Sequence, residues 1–268
     1  MPDWLAVIIL GIIEGVTEFL PVSSTGHLLL VQNNGWLPHQ SDLFNDGIQS
    51  GAVLAVILVF TKRLNQFARE WRRPEIMDYL LKLGVAFGVT AVGGLTLKAL
   101  NWELPETPLP VLLATVIGGV AIIAIEKWLR GRPLSERISW TIAISAGIAQ
   151  LVAGACPGTS RSGATILMIM ALGLARPAAT EFSFLLGIPT LISAGAYEAL
   201  KVLKHGGPME TSWGMVILGT IASAITAFVV VKWLLKFVQT HTFIGFGWYR
   251  IALGALILLL TQRWSAPP

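Results

Sequence analysis

Long apolar stretches separated by short polar segments dominate the pattern of this chain. Six uninterrupted stretches approach the roughly 20 residues that a helix needs to cross a bilayer. They cover approximately residues 43–60, 77–100, 108–125, 182–200, 213–235 and 243–261. Two other apolar regions are interrupted, at Pro21 within residues 1–35 and at Pro157–Gly158 within residues 138–175. Too few residues follow Pro21 for a second crossing, so this region predicts a re-entrant helix–loop–helix hairpin, and the second region has the same pattern.

The composition also indicates a membrane protein. Hydrophobic residues make up 54% of the chain and charged residues 13%, and the mean hydropathy is +0.70. We therefore expect one all-α, polytopic membrane domain over residues 1–268. The single cysteine, Cys156, excludes an internal disulfide framework. Asp3 in place of a basic N-terminal region argues against a cleaved signal peptide.

The order of these elements predicts an inverted repeat. One hairpin followed by three spans occurs twice, approximately over residues 1–130 and 131–268. Because three is an odd number, the second half has the opposite orientation in the membrane. With both termini outside, twelve Lys and Arg residues fall on the inside and three on the outside, in agreement with the positive-inside rule. The two hairpins would then enter from opposite sides and meet near the midplane.

Two acidic residues in the first interrupted region indicate a cation site. Glu14 and Glu18 are four residues apart, so on a helix they share one face, with Cβ atoms about 5–6 Å apart. Two carboxylates this close repel each other unless a cation or a proton intervenes, and oxygen ligands suit Mg²⁺ or Ca²⁺. The alternative is a purely structural pairing with a buried base, Arg161 or Arg250. Buried ion pairs are poor stabilisers in themselves, which favours the functional interpretation.

Hydroxyl groups after the first break indicate an anion site. The residues that follow Pro21 include Ser23, Ser24, Thr25 and His27, and we expect the returning helix to begin there. Backbone N–H groups at a helix N-terminus bind anions, and an imidazole transfers protons near neutral pH. Ordinary N-capping by serine or threonine is the alternative. It explains one hydroxyl, but not three together with an imidazole.

The second break contains hydroxyl and glycine residues like the first, and it adds a permanently charged arginine. It contains Gly158, Ser160, Arg161, Ser162 and Thr165. A guanidinium group presents a planar fork that matches phosphate oxygens, and small residues let the backbone approach a ligand closely. The alternative is an arginine that only neutralises an acid of the first break. Together the two breaks predict a phosphate site.

Two polar positions inside spans are weaker candidates. Gln49, with Asn45 before it, begins the span beside the first hairpin, and we count Gln49 as a substrate-binding candidate. A structural polar contact explains it equally well. Arg250 lies in the middle of a span and should have a buried partner, with scaffolding as likely as function.

The motifs at the two breaks resemble those of a known family. Glu-Gly-Val-Thr-Glu at 14–18 fits its (E/Q)xxxE motif, and residues 157–165 fit PGxSRSxxT. With Ser-Ser-Thr-Gly-His at 23–27, nearly the whole chain resembles bacterial undecaprenyl-diphosphate phosphatases of the bacitracin-resistance (BacA/UppP) type. Type-2 phosphatidic-acid phosphatases are less similar, because the histidine that they have six residues after the arginine is replaced here by Leu167.

The resemblance implies an enzymatic activity and a cellular location. We expect an enzyme of the bacterial inner membrane that hydrolyses undecaprenyl diphosphate to the monophosphate carrier of cell-wall synthesis. It implies a divalent cation, Mg²⁺ or Ca²⁺, and an active site that faces the periplasm. The expected partners are a polyprenyl diphosphate lipid, the surrounding membrane lipids and a second copy of the chain in a homodimer, with no nucleic acid.

The residues at the breaks then suggest a mechanism. Glu14 and Glu18 would hold the metal, while Arg161, Ser160, Ser162, Thr165 and backbone N–H groups bind the diphosphate. Ser24 is the expected nucleophile, with Ser23 in reserve, and His27 the general base or acid. A metal-activated water is the other possible nucleophile. The competing function is a flippase or anion transporter, because inverted repeats with midplane anion sites are common in transporters.

Overall fold

The computed structural model describes residues 1–102, 108–205 and 212–261, and their regular secondary structure is helical. These ranges contain eleven α-helices. In chain order they are α1 (Asp3–Thr17), α2 (Ser24–Asn33), α3 (Asp42–Val59), α4 (Thr61–Glu70), α5 (Pro74–Ala99), α6 (Pro108–Leu129), α7 (Trp140–Ala155), α8 (Arg161–Ala171), α9 (Arg176–His205), α10 (Trp213–Phe237) and α11 (Ile244–Thr261).

Several of these helices can span a membrane. Within the described ranges, four are long and apolar enough: α5, α6, α9 over Arg176–Tyr197, and α10. The pair α3 and α4 provides a fifth span when its two bent parts are counted together, and the apolar part of α11 is shorter, over Ile244–Leu260. The chain is therefore a multi-pass membrane protein, as the sequence predicts. The count of six spans stays a prediction.

Both interrupted regions are broken helices with the same local geometry. The first break separates α1 from α2 at residues 18–23, and the second separates α7 from α8 at residues 156–160. The residues that precede α2 and α8, Ser23 and Ser160, have φ values of 72° and 67°. The hydroxyl of each accepts a hydrogen bond from a backbone N–H three residues later, at 3.2 Å in both cases. A positive φ is uncommon outside glycine, so the two breaks share an unusual conformation.

One part of the predicted loop between the first and second spans is helical. α3 ends at Val59, and α4 follows at an angle of 67°. α4 carries Lys62, Arg63 and Arg69, which the topology prediction treated as loop charges, and its Phe67 is buried. Its apolar residues lie on one face, so it can pack against the bundle while its charges remain at the polar surface.

Close helix contacts hold the first hairpin in place. α1 and α3 both pack on α10. A Cβ atom at Gly11 of α1 would lie 2.3 Å from the carbonyl oxygen of Gly219, and one at Gly15 would lie 2.5 Å from that of Ser223. Glycines four residues apart on one face are typical of close contacts between membrane helices. Beside the break itself, Phe19 packs edge-on against Phe184 of α9, with ring centroids 5.0 Å apart.

A buried ion pair connects the two halves of the chain at the other end of the bundle. Glu126, near the end of α6, is 2% exposed and accepts two hydrogen bonds from Nε of Arg176, at 2.7 and 2.9 Å. The same carboxylate accepts the backbone N–H of Phe243 at 2.8 Å, just before α11. One acidic residue of the first half thus holds the starts of two helices of the second half.

Candidate active site

The two breaks are in direct contact. The Ser162 hydroxyl donates to the carbonyl oxygens of Leu20, at 3.0 Å, and Glu18, at 3.3 Å. The Arg161 guanidinium group donates through Nη2 to Oε1 of Glu18 at 2.8 Å. These residues are more than 140 positions apart in the sequence. These bonds bring the two breaks together; that the breaks belong to re-entrant hairpins that meet near the midplane stays a prediction.

Glu18 lies between a cation and a hydroxyl. Its Oε1 accepts from Arg161, and its Oε2 accepts the Ser24 hydroxyl at 2.8 Å. Glu18 is only 7% exposed, so little water competes for either bond. A carboxylate that accepts a hydrogen bond from a serine hydroxyl is well placed to take the proton of that hydroxyl when the serine attacks an electrophile.

Glu14 has a different environment from Glu18. It is fully buried, and neither of its carboxylate oxygens has a hydrogen-bond partner among the described residues. The nearby charges that act on it come from Glu18, Arg161 and Asp46. Isolated buried carboxylates are costly unless a partner satisfies them. The unpartnered oxygens fit a bound cation, and they fit equally a proton shared with the neighbouring Glu18 carboxyl.

The described residues do not form a complete metal cage. No group of three or more His, Cys, Asp and Glu side chains is assembled among them. Two carboxylates can nevertheless hold a hard cation when phosphate oxygens of a substrate and water supply the remaining ligands, as Mg²⁺ commonly does. Glu14 and Glu18 fit this second arrangement.

His27 is held away from Ser24. Its Nδ1 lies 2.7 Å from the carbonyl oxygen of Ser23, and its Nε2 lies 2.6 Å from the hydroxyl of Tyr249 on α11. The two rings are stacked with centroids 5.6 Å apart. Both ring nitrogens are thus engaged, and the serine that was expected to pair with this imidazole pairs with Glu18 instead. The sequence analysis did not identify Tyr249; its position beside the mid-span Arg250 was the available signal.

Arg250 connects the two breaks through backbone oxygens. It is 0% exposed. Its guanidinium group donates to five carbonyl oxygens, those of Ala114, Thr115, Gly158, Thr159 and Pro21, at 2.9–3.4 Å. Helix breaks leave carbonyl groups without intrahelical partners, and this side chain satisfies such groups from both breaks and from α6. The expected buried partner of Arg250 is therefore main chain.

A cavity of about 820 Å³ lies against the joined breaks. Seven of the residues proposed from the sequence line it: Glu18, Ser24, Thr25, Gln49, Gly158, Ser160 and Arg161. The wall also contains residues that the sequence analysis did not propose for the site, from α5, α7 and α9. They include Thr90, Lys98, Gln150, Thr190 and Tyr197. One feature of the sequence points to Gln150: it lies seven residues before Pro157, just as Glu14 lies seven residues before Pro21.

The other five proposed residues lie outside the cavity wall. Three of them form bonds that shape the breaks. Ser23 caps α2, Ser162 binds the carbonyl oxygens of the first break, and the Thr165 hydroxyl donates to the Arg161 carbonyl at 2.9 Å. Glu14 is buried and His27 contacts Tyr249, as described above. Ser24 and Ser160 are thus the serines of the two motifs that reach the cavity.

Comparison with known proteins agrees with this geometry. A family model described as bacitracin resistance protein BacA matches residues 7–256. The chain belongs to the BacA family. Curated relatives of this BacA chain are named undecaprenyl-diphosphatase. The protein from Rhizobium etli (strain ATCC 51251) is 49% identical over 260 residues, covering 97% of each chain. That from Xylella fastidiosa (strain 9a5c) is 47% identical over 259 residues, covering 96% of this chain and 98% of the relative.

Proposed function

We propose that this BacA-family chain hydrolyses undecaprenyl diphosphate to undecaprenyl phosphate and inorganic phosphate. Its relatives are named for this activity and match it over nearly their whole length. The observation that carries the proposal is the row Ser24, Glu18 and Arg161 on one cavity wall, joined by two bonds of 2.8 Å. It combines a hydroxyl nucleophile, a proton acceptor and a phosphate-binding cation. In this family the activity is associated with bacitracin resistance, because it recycles the lipid carrier.

The proposed reaction begins at Ser24. Its oxygen attacks the terminal phosphorus as its proton passes to Oε2 of Glu18, and the bond from that phosphorus to the bridging oxygen breaks. Undecaprenyl phosphate leaves, and water then hydrolyses the phosphoserine to release phosphate. Arg161, Ser160 and Thr25 would bind the terminal phosphate oxygens. His27 can act as the base only if one ring nitrogen leaves its present partner and turns to Ser24, whereas Glu18 already accepts the Ser24 hydroxyl. We therefore assign the role of base to Glu18.

Glu14 and Glu18 are the residues that would hold Mg²⁺ or Ca²⁺. When bound, the cation would neutralise negative charge on the diphosphate. The support for this part of the proposal is the pair of unpartnered oxygens on Glu14. Loss of calcium or magnesium binding in Glu14→Gln, measured by calorimetry on the purified protein, is the expected result.

The arrangement in the membrane is also part of the proposal. Six spans and two re-entrant hairpins in an inverted repeat, both termini in the periplasm, and a homodimer in the bacterial inner membrane remain our expectations. The support is the matching order of elements and the matched conformations of Ser23 and Ser160. Replacing Cys156 leaves a cysteine-free chain. Single cysteines at Gly35 and Arg72 should then react with impermeant reagents from the outside and from the inside, respectively.

Phosphate release tests the activity directly. The purified protein with Mg²⁺ or Ca²⁺ should release phosphate from a prenyl diphosphate of 15 carbons or more. Ser24→Ala should abolish turnover, and Glu18→Gln should lower kcat roughly 10²–10⁴-fold because it removes the proton acceptor. Full turnover by Ser24→Ala would point to an activated water as nucleophile. No release by the unaltered protein would reject the enzyme and favour a transporter.

A further inference from the structure

The cavity has a second polar wall, formed by residues that lie outside the two breaks. It is built by one face of α5, which contributes Thr90 and Lys98, by Gln150 of α7, and by Thr190 and Tyr197 of α9. None of these residues belongs to the motifs at the breaks. The reaction proposed above involves the residues of the breaks, and the residues of the second wall have no role in it.

Gln150 is held by one end of its amide group. Its Oε1 lies 2.9 Å from the Thr190 hydroxyl and 3.3 Å from the Thr90 hydroxyl, and each hydroxyl is also within hydrogen-bond distance of a carbonyl oxygen of its own helix. Gln150 is 3% exposed, and its Nε2 has no hydrogen-bond partner among the described residues. Leaving a buried donor unsatisfied is costly. Two helices thus fix an amide whose Nε2 is buried in the lining of the cavity, without a partner among the described residues.

Lys98 gives this wall a positive charge. Three charged side chains line the cavity in the part of the chain that the structure describes: Glu18, Arg161 and Lys98. Glu18 and Arg161 form an ion pair with each other. Lys98 lies at the end of α5, where its Nζ donates a hydrogen bond to the Tyr197 hydroxyl and lies 3.7 Å from the centroid of that ring. Neither contact supplies a negative charge. The second wall therefore attracts an anion.

We propose that Gln150 and Lys98 bind the phosphate that stays on the lipid, while the wall formed by the breaks binds the phosphate that is removed. This inference rests on the proposed function. A diphosphate has two anionic groups, and only the terminal one can lie against Ser24 when it is attacked. An amide donor and an ammonium group together suit the other one. A prenyl diphosphate can engage both walls at once, but a prenyl monophosphate cannot. The second wall therefore explains why the reaction stops at the monophosphate.

Steady-state kinetics of Gln150→Leu and Lys98→Met test the proposal. The phosphate that stays on the lipid is the leaving group, so a donor bound to it acts in the ground state and more strongly as the bridging bond breaks. Its loss should therefore raise KM and also lower kcat. We expect KM for a prenyl diphosphate to rise roughly tenfold or more in Gln150→Leu. A smaller rise, roughly threefold to tenfold, is expected in Lys98→Met because water and salt screen an exposed amine. Lys98→Arg should retain most of the affinity.

Product inhibition separates binding at the second wall from general damage. The prenyl monophosphate keeps the phosphate assigned to this wall, so its inhibition constant should rise by the same factor as KM. Inorganic phosphate is the group released at the breaks, and its inhibition constant should not change. Gln239→Leu and Lys62→Met, exposed substitutions away from the cavity, are matched controls that should leave all constants unaltered.

Two results would overturn the proposal. One is an unchanged KM and an unchanged inhibition constant for the monophosphate in both variants. The other is an equal change in the inhibition by both products, which would indicate a disturbed fold. Calorimetric binding of a methylene-bridged prenyl diphosphonate gives a readout without turnover. If the unaltered protein releases no phosphate but both variants still bind this analogue more weakly, the proposed function is rejected. The assignment of the second wall as a phosphate-binding surface is then retained.

Discussion

Arg250 shows how a single buried charge can be satisfied without an acidic partner. Its donors bind five carbonyl oxygens that come from α6 and from both breaks. A planar group with five donors in a fixed geometry can do this, and the flexible three-donor ammonium of lysine cannot reproduce it. The side chain therefore fixes the distance between the two halves of the site.

Arg250→Met should destabilise the protein and impair catalysis together. It leaves several buried carbonyl groups unsatisfied, so we expect the free energy of unfolding to fall by about 3 kcal/mol or more. The folded fraction should show a lower kcat, because Glu18 and Ser24 are no longer fixed relative to Arg161. Thermal unfolding in detergent, followed by tryptophan fluorescence, and phosphate release measure the two effects. Unaltered unfolding and kcat would mean that the five bonds are dispensable.

At this scale the sequence predicts which residue types meet, but not which atoms do. The predicted inverted order of the elements was enough to predict a contact between the breaks, and the charge of Arg161 made pairing with an acid of the first break one of the alternatives. The distinction between Ser24, which reaches the cavity, and Ser23, which caps a helix, depends on a backbone φ of 72° at Ser23. The acceptors of Arg250 are main-chain atoms exposed by the breaks, and no side-chain pattern identifies them.

At the scale of elements, close packing of α1 on α10 positions the first break. The hairpin itself is short, and its first helix gains its fixed position from the glycine face described above. Without a hydrophobic driving force between helices in lipid, such van der Waals contact is a main source of association.

Gly11→Ala should therefore loosen the hairpin. The added Cβ would lie 2.3 Å from the carbonyl oxygen of Gly219, so α1 must move and the protein should lose about 1–3 kcal/mol of unfolding free energy. Gly84→Ala in α5 is the control, because no atom from another helix in the described part of the chain lies within 4 Å of the new Cβ. That change should stabilise the helix by about 0.5–1 kcal/mol. Equal melting temperatures for the two variants would contradict the argument.

Helix boundaries were predictable where the chain is apolar and less so where it is charged. Proline and glycine identified both breaks, and the long apolar stretches correspond to helices. α4 was missed because its many charged residues were read as a loop, although its few apolar residues lie on one face. Amphipathic helices at a membrane surface have low mean hydropathy, so a search for apolar stretches does not detect them.

At the scale of the whole molecule, contacts far from the cavity hold the two halves together. Glu126, Arg176 and the N–H of Phe243 form one such contact. The order of the apolar helices and the positions of the two breaks were predictable from the sequence. The partner of Glu126 was not, since Arg176 appeared only as one of several basic loop residues.

Glu126→Leu should lower stability without changing the chemistry. It leaves Arg176 and the Phe243 N–H without their acceptor, and breaking a buried pair costs about 3–5 kcal/mol. Neither Glu126 nor Arg176 lines the cavity, so kcat of the folded protein should be retained. Combining it with Arg176→Met should restore part of the lost stability, because the second change removes the unpaired charge. A double variant as unstable as the sum of the single ones would argue against a direct interaction.

The position of Arg250 in the chain has a consequence for biosynthesis. Glu18 and Ser24 leave the ribosome early, Arg161 later, and Arg250 last of these four. At about 5–20 residues per second, roughly 10–50 s separate the first acid from the final arginine. Until α11 is inserted, the carbonyl groups of both breaks have no guanidinium partner and the two halves of the site are not fixed together. We therefore expect the newly made chain to reach its full activity only when its last helix enters the membrane.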